Sequence, residues 1–216
     1  MPVIGSRHIF ALIAEREYIM LNKKLLILIA LSLLLTSCTN SSHKIDFVNS
    51  VEYTDMILSC FSARNFSSEA VSAEAVKTIL STGIQAPSIL NEQLCRFTVI
   101  NSIDVKNEIM PELPDECVMI ITSVPMVNQH HGASGELMSG LATQNMYIAA
   151  QALGLGACIY SEPVAKINYS LRDSVALLSD YEAVTLLVVG HVENFAHALS
   201  GASTRHSFDS LVNYVD

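Results

Sequence analysis

Residues 142–156 read ATQNMYIAAQALGLG, and the parsing of that stretch decides the fold class. Apolar residues surround Ser139–Leu153 on nearly every side, which predicts a strong helix that is buried rather than laid on a surface. Gly154-Leu155-Gly156 breaks it, and Ala157–Tyr160 reads as a strand. Working outward, Ala183–Val192 is rich in β-branched residues and predicts a strong strand. Cys117–Val124 is a continuous apolar run, as expected of a central strand, and Arg96–Asn101 predicts another. Ser72 is a good N-cap for a helix running through Gln85, with Ala73, Val76, Ile79, Leu80 and Ile84 on one face. That helix ends at Gln85-Ala86-Pro87-Ser88, because the residue before a proline leaves helical space. Shorter helices are expected at residues 51–61 (carrying Val51, Met56, Ile57 and Leu58), at Ile103–Met110 ahead of Pro111, and at Val164–Leu171. Ser62–Val71 is irregular, Val127–Ser134 is a loop, and the tail from Asn194 stays polar until Phe208–Val215. There is no internal repeat. Helices and strands mix around one small sheet, which is an α+β class.

The front of the chain reads as a sorting signal. Met20-Leu21-Asn22-Lys23-Lys24 precedes an uncharged apolar run from Leu25 to Leu35, followed by Thr36-Ser37-Cys38. A bilayer-spanning helix needs about 20 residues, so this run is too short to be one. A basic segment, a short apolar segment and small residues at a cut site define a secretory signal over residues 1–37. Leu35-Thr36-Ser37-Cys38 also resembles a bacterial lipobox, in which the cysteine becomes the first mature residue and carries acyl chains; the other reading is an ordinary cleaved signal with Cys38 incidental. Met20 is a candidate true start. Residues 38–50 would then be the lipidated cysteine and a polar tether, and residues 51–216 the folded domain. This places the protein outside the cytoplasm, anchored by lipid to a cell membrane.

Half of the 216 residues are apolar and 15% are charged, ample for a real core. The formal net charge is −9; without residues 1–37, which hold four basic and two acidic residues, it becomes −11. A body this acidic repels phosphate backbones, and with no Trp it lacks a stacking surface, so nucleic acid is not expected as a partner. Any bound anion needs a local basic pocket. Of the five cysteines, Cys60, Cys95, Cys117 and Cys158 remain if Cys38 is acylated; none has metal spacing. Cys117 and Cys158 lie in apolar runs and read as core, while a Cys60–Cys95 bridge stays open, since export permits disulfides. There is no nucleophile elbow, phosphate-binding loop or zinc-binding HExxH motif. His130-His131 is adjacent rather than four apart and makes a poor metal pair, so no metal site is expected; His191 and His197 have no identifiable partners.

Three segments, in order, resemble the FMN-dependent nitroreductase family. Ser62-Ala63-Arg64-Asn65-Phe66 is similar to its RRSxRxF opening; Ala86-Pro87-Ser88-Ile89-Leu90-Asn91-Glu92-Gln93 is similar to APSxxNxQPW; residues 142–156 are similar to xxQNLxLAAxALGLG. A weaker fourth is Val189-Gly190-His191 followed by Ser203-Thr204-Arg205. The resemblance, to a lipoprotein-type member, implies a mostly antiparallel central sheet flanked by helices and an intertwined homodimer with FMN at the interface. A buried Ser139–Leu153 helix suits that dimer, though a monomer's core helix would read the same.

The resemblance also implies roles. FMN carries the chemistry, so no catalytic acid or base is expected. Arg64 would bring positive charge to the pyrimidine edge or the phosphate, Ser62 would donate to the phosphate or ribityl chain, and Arg205 would grip phosphate bidentately. Pro87, Ser88 and Asn91 would reach the partner chain's flavin, and the backbone around Tyr160, Ser161 and Glu162 would face the polar edge of the ring. Each has a blander reading: Arg64 as a surface cation beside Glu69, Arg205 as a solvated charge, Asn91 as a cap of its own loop, Pro87 and Ser88 as helix terminators. Departures stand out. Cys60 and Phe61 occupy the place of the family's opening arginine pair, Ser203 that of a second late cation, Leu94-Cys95 that of Pro-Trp, and the stretch from Asn101 to Cys117 is short. In the family, hydride passes from a reduced nicotinamide to FMN and, once that product leaves, to a nitroaromatic, quinone or similar acceptor. Reduced nicotinamide is not expected outside the cytoplasm, so the donor stays open. The competing reading is a non-catalytic lipoprotein that uses the fold to bind a small planar ligand.

Overall fold

In the computed structural model, which describes residues 50–126, 134–192 and 205–215, one sheet is built from β1 (Arg96–Ile100), β2 (Val118–Pro125), β3 (Gly156–Tyr160) and β4 (Tyr181–Gly190). The spatial order is β1-β2-β4-β3, and each neighbouring pair is antiparallel. The helices are α1 (Ser50–Ser59), α2 (Ala73–Ile84), α3 (Ile103–Ile109), α4 (Ser134–Ala152), α5 (Glu162–Ser170) and the single turn α6 (Phe208–Leu211). All described residues lie in one unit, Asn49–Asp216.

Alternation along the strands splits the core into two layers. Ile120, Leu187 and Val189 point to one face, where Ile79 of α2 and Met146, Tyr147 and Ala150 of α4 cover them. Met119, Ile121, Leu186 and Val188 point to the other, under Ile109 of α3 and Ile167 of α5. The sheet is thus covered on both faces, which is why β2 and β4 read as unbroken apolar runs rather than alternating ones. The α+β reading and the four strands agree with the sequence to within two residues at each end.

Three local signals behave as expected. Ser72 caps α2, its hydroxyl accepting from the Ala75 N–H at 3.2 Å. Gln85 closes that helix two residues before Pro87. At the end of α4, Gly154 has φ +76°; its N–H donates to Gln151 O while the Leu155 N–H donates to Ala150 O, a Schellman closure that satisfies two late carbonyls.

Four expectations need correction. The helix expected from Ser139 begins at Ser134, so the last residue assigned to the preceding loop is helical; residues 127–133, with His130 and His131, lie outside the described residues. Nor is α4 buried all round, for Leu137 is 57% exposed and Leu141 38%. The helix expected over residues 51–61 ends at Ser59, and its Ile57 and Leu58 are exposed. Ile84 closes the α2 stripe in sequence but is exposed as well.

A hydroxyl relay joins α4 to the sheet. Thr143 Oγ lies 2.7 Å from Thr185 Oγ on β4 and 3.2 Å from Thr122 Oγ on β2, at the point where the β2–β4 register shifts between Thr122 and Ser123. Thr122 and Thr143 are fully buried. Ser139, one turn earlier on α4, is equally buried but its hydroxyl has no partner. Deleting the shared hydroxyl in Thr143→Val therefore should cost about 1–3 kcal/mol in urea unfolding, because buried groups lose their partner. Ser139→Ala should leave stability level or raise it. A Ser139→Ala protein less stable than wild type would show that the Ser139 hydroxyl is satisfied after all.

Candidate functional site

The residues expected to carry the site fall into two groups at opposite edges of the sheet. The first group gathers outside β3. Ser62 forms a parallel bridge with Ala157, and the Ala63 N–H donates to Ala157 O at 2.9 Å. Gly156 makes this approach feasible: a Cβ there would fall 2.7 Å from Ala63 Cβ and 2.2 Å from Val192 Cγ2. Phe61 and Ala63 are buried and alternate with Ser62, which is half-buried, and Arg64, which is exposed. One Arg64 Nη lies 3.5 Å from Ser62 O. Glu69 stands 3.6 Å from His191 Nδ1, a partner for His191 that sequence reading did not find.

Beyond β3 the chain turns at Ser161 into α5, with Pro163 in its first turn. A helix start leaves its first N–H groups without internal partners, and Ser161 makes no side-chain cap bond there. Glu162 and Ser161 are exposed. Cys158, read from sequence as a plain core residue, belongs to this group. Burial pushes its thiol up, while Tyr160, Arg64 and Ser62 each pull it back. Burial also pushes Tyr160 up to about 12, with Cys158 adding to the rise and Arg64 opposing it. Cys158 and Tyr160 are therefore neutral at physiological pH, and the side chains of the group that carry formal charge are Arg64 and the exposed Glu162. A guanidinium, a helix N-terminus and neutral hydroxyls suit a polar, partly anionic ligand edge.

The second group leads into β1. Residues 88–93 form a tight loop in which Leu90, Asn91 and Gln93 all have left-handed φ, between 51° and 58°. Ser88 organises it: its carbonyl accepts from Asn91 N–H at 3.0 Å and its hydroxyl from Gln93 N–H at 3.1 Å. Three such non-glycine residues in four cost energy that the surroundings must offset, a feature concentrated at functional sites. Pro87 and Ser88 line an apolar cavity of about 270 Å³ with Ile84, Phe97, Met138 and Ala142. Arg96 at its rim is engaged structurally: it donates to Gln93 O and Cys95 O, both at 3.0 Å, and lies 5.7 Å over the Tyr181 ring.

One chain does not unite the two groups. They flank opposite edges of a four-stranded sheet, about 14 Å apart at about 4.8 Å per strand spacing. The helix α4 touches both, Met138 near one end and Gln151 near the other, separated by about 20 Å of helix. Arg205 is exposed, three residues ahead of α6. Cys38 and Ser203 lie outside the described residues. Cys60 and Cys95 are both free, so the bridge left open by the sequence is not formed. No group of His, Cys, Asp and Glu suited to a metal occurs among the described residues.

Comparison with solved structures defines the class. The chain is similar to a protein from Desulfovibrio desulfuricans described as a nitroreductase and solved in complex with FMN: TM-score 0.64 and 28% identity, covering 76% of this chain and 96% of that one. A nitroreductase with bound FMN from Desulfitobacterium hafniense gives TM-score 0.62 at 18% identity, covering 76% and 98%. A Bacteroides thetaiotaomicron protein described as an NADH dehydrogenase or NAD(P)H nitroreductase gives 0.64 at 19%, covering 76% and 96%. The fold is the nitroreductase fold. The Nitroreductase family model matches residues 59–134, which include Ser62, Arg64, Pro87, Ser88 and Asn91. No curated protein matches the sequence.

The neutral state of the buried thiols has a measurable consequence. Burial raises Cys117 to about 11 from an ordinary 9.0. A raised folded value favours the protonated form, so this group's stability is complete below pH 9 and is lost as pH climbs through about 11. Native-state alkylation read by mass spectrometry should mark Cys60 and Cys95 at pH 8 and spare Cys117 and Cys158 until the alkaline transition begins. Labelling of Cys158 at the same rate as Cys60 would contradict its burial.

Proposed function

We propose that the protein is an FMN-dependent oxidoreductase acting as a homodimer. The observation that carries this reading is the convergence of Ser62, Arg64, Tyr160 and the uncapped start of α5 at one sheet edge. That donor set fits the polar edge and phosphate of a flavin nucleotide. Solved proteins of the same fold carry FMN. When bound, FMN would accept a hydride from a reduced donor and, after that product leaves, pass reducing equivalents to an acceptor. The chain's residues hold and orient it. Arg64 supplies charge beside its electron-rich edge, Ser62 donates to its polar chain, and the backbone at Ser161–Glu162 faces the ring edge. Arg205 binds the phosphate.

The separation of the two groups supports the homodimer. A second copy related by two-fold symmetry would place its Pro87, Ser88 and Asn91 opposite Arg64 of the first. The exposed Leu137 and Leu141 on α4, and the exposed Phe208, Leu211, Tyr214 and Val215 near the C-terminus, are apolar surface such a copy would cover. The proposed donor is a reduced nicotinamide or, outside the cytoplasm, another reductant, and the acceptor a nitroaromatic, quinone or similar small molecule. The proposed location is the cell membrane, reached by export and held through acylated Cys38.

Purified full-length protein incubated with FMN should acquire flavin absorbance that a reductant bleaches and a quinone or nitroaromatic restores. Protein that cannot be loaded would favour the ligand-binding lipoprotein instead. Arg64→Ala should release FMN or lower its midpoint potential; unchanged content and potential would remove Arg64 from the site. Co-expressing Arg64→Ala with Asn91→Ala chains should recover flavin binding that neither variant shows alone, because a mixed dimer has one site with both residues intact. No recovery would mean that the site is not shared between chains.

A further inference from the structure

The segment that carries Ser62 and Arg64 is held from two sides. From β3, the Ala157 carbonyl takes the Ala63 N–H at 2.9 Å. From α4, Gln151 Oε1 takes the Phe61 N–H at 3.0 Å, across 90 residues of sequence. The first contact is backbone to backbone and fixes the distance from the sheet. The second comes from a side chain and fixes how the segment turns about that anchor.

The other end of the same amide is unusual. Gln151 Nε2 is buried and has no hydrogen-bond partner. An orphaned buried donor is destabilising. Leucine or methionine at this position would fill similar volume and remove the orphaned Nε2 donor, but would take the Gln151 acceptor away from the buried Phe61 N–H. The Oε1 contact is therefore what accounts for a glutamine here.

We propose that Gln151 is a positioning residue for the candidate site: it sets the aim of Ser62 and Arg64 through the Phe61 amide, without touching the ligand. The proposal rests on the FMN reading for its effect on the cofactor, but its structural half stands without it. Three consequences follow from the geometry. Gln151→Met removes the orphaned Nε2 donor but deprives the Phe61 N–H of its Gln151 acceptor, so the two effects oppose each other and thermal stability changes little. The Phe61–Arg64 segment loosens, so its amides exchange faster. The aim of Arg64 spreads, so ligand affinity falls while stability does not. Gln151→Glu keeps an oxygen acceptor for the Phe61 N–H, but its second oxygen takes the buried, unpartnered place of Nε2, so it keeps the hold at a cost in stability.

The experiment uses full-length wild type, Gln151→Met and Gln151→Glu. Amide exchange at Phe61 and Ala63 is followed in the flavin-free protein, and FMN affinity and midpoint potential are measured with added FMN. The expected result for Gln151→Met is a rise in Phe61 exchange and in Kd of about tenfold, as loss of one such bond allows, with an unchanged melting temperature and a shifted potential. Gln151→Glu should keep Phe61 exchange near wild type, while its buried carboxylate lowers the melting temperature. Unchanged Phe61 exchange in Gln151→Met overturns the proposal whether or not FMN binds. Faster exchange with unchanged Kd and potential also overturns it, because the segment would then be held without aiming anything. A wild-type protein that takes up no FMN defeats the functional reading alone, and the exchange result then decides the positioning role by itself.

Discussion

The order of the strands, β1-β2-β4-β3, is the constraint from which the rest follows. It puts β1 and β3 on opposite edges. The loop of Pro87, Ser88 and Asn91 feeds β1, while Ser62 pairs with Ala157 on β3, so the two groups of candidate residues lie at opposite edges of the sheet. No rotation of side chains closes a gap of three strand spacings. Completion within one chain would need a different topology; completion between two chains needs only a two-fold axis. The long helix α4 ties the halves together mechanically, with its Thr143 hydroxyl keyed to both central strands and its ends at the two edges.

Much of this was legible in the sequence because the signals are local. Ser72 announces α2, Pro87 its end, and Gly154 the end of α4, each through backbone chemistry confined to a few residues. The apolar runs of β2 and β4 announce strands covered on both faces. What failed to show were properties that depend on remote neighbours. Ser134-Gly135-Glu136 opens α4 without an apolar period, so the first turn read as loop. The exposure of Leu137 and Leu141 was hidden for the opposite reason: hydrophobic patterning records that a side chain needs cover, not whether its own chain or another supplies it.

The site shows the same division. The motif residues Ser62, Arg64, Pro87, Ser88 and Asn91 could be named from short segments. Cys158 could not, because its proximity to Ser62 and Arg64 is created by the bridge to β3. Gln151 could not either: the contact to Phe61 spans 90 residues, and nothing within its own helix distinguishes it from a surface glutamine. The strained loop at Leu90, Asn91 and Gln93 was likewise silent, since none is a glycine that would have advertised a left-handed backbone.

The departures from the family motif also acquire a physical meaning. Phe61, standing where an arginine would be expected, is buried against Ala63, with Phe66 and Val192 packed beside them. Cys60 packs against the α2–α4 layer of the core. An arginine at either place would point into apolar surroundings and bear the cost of an unpaired buried charge. Packing therefore occupies the two positions where the motif the chain resembles has arginines. In a chain of net charge −9, an anion is attracted only where local donors outweigh the general repulsion. With packing at Cys60 and Phe61, in the proposed site that local preference falls to Arg64, Arg205 and the backbone N–H groups at the start of α5. Fixed dipoles and a few guanidiniums can substitute for several mobile cations only if their geometry is held, and in the proposed site the contacts to the Phe61 and Ala63 N–H groups would supply that hold.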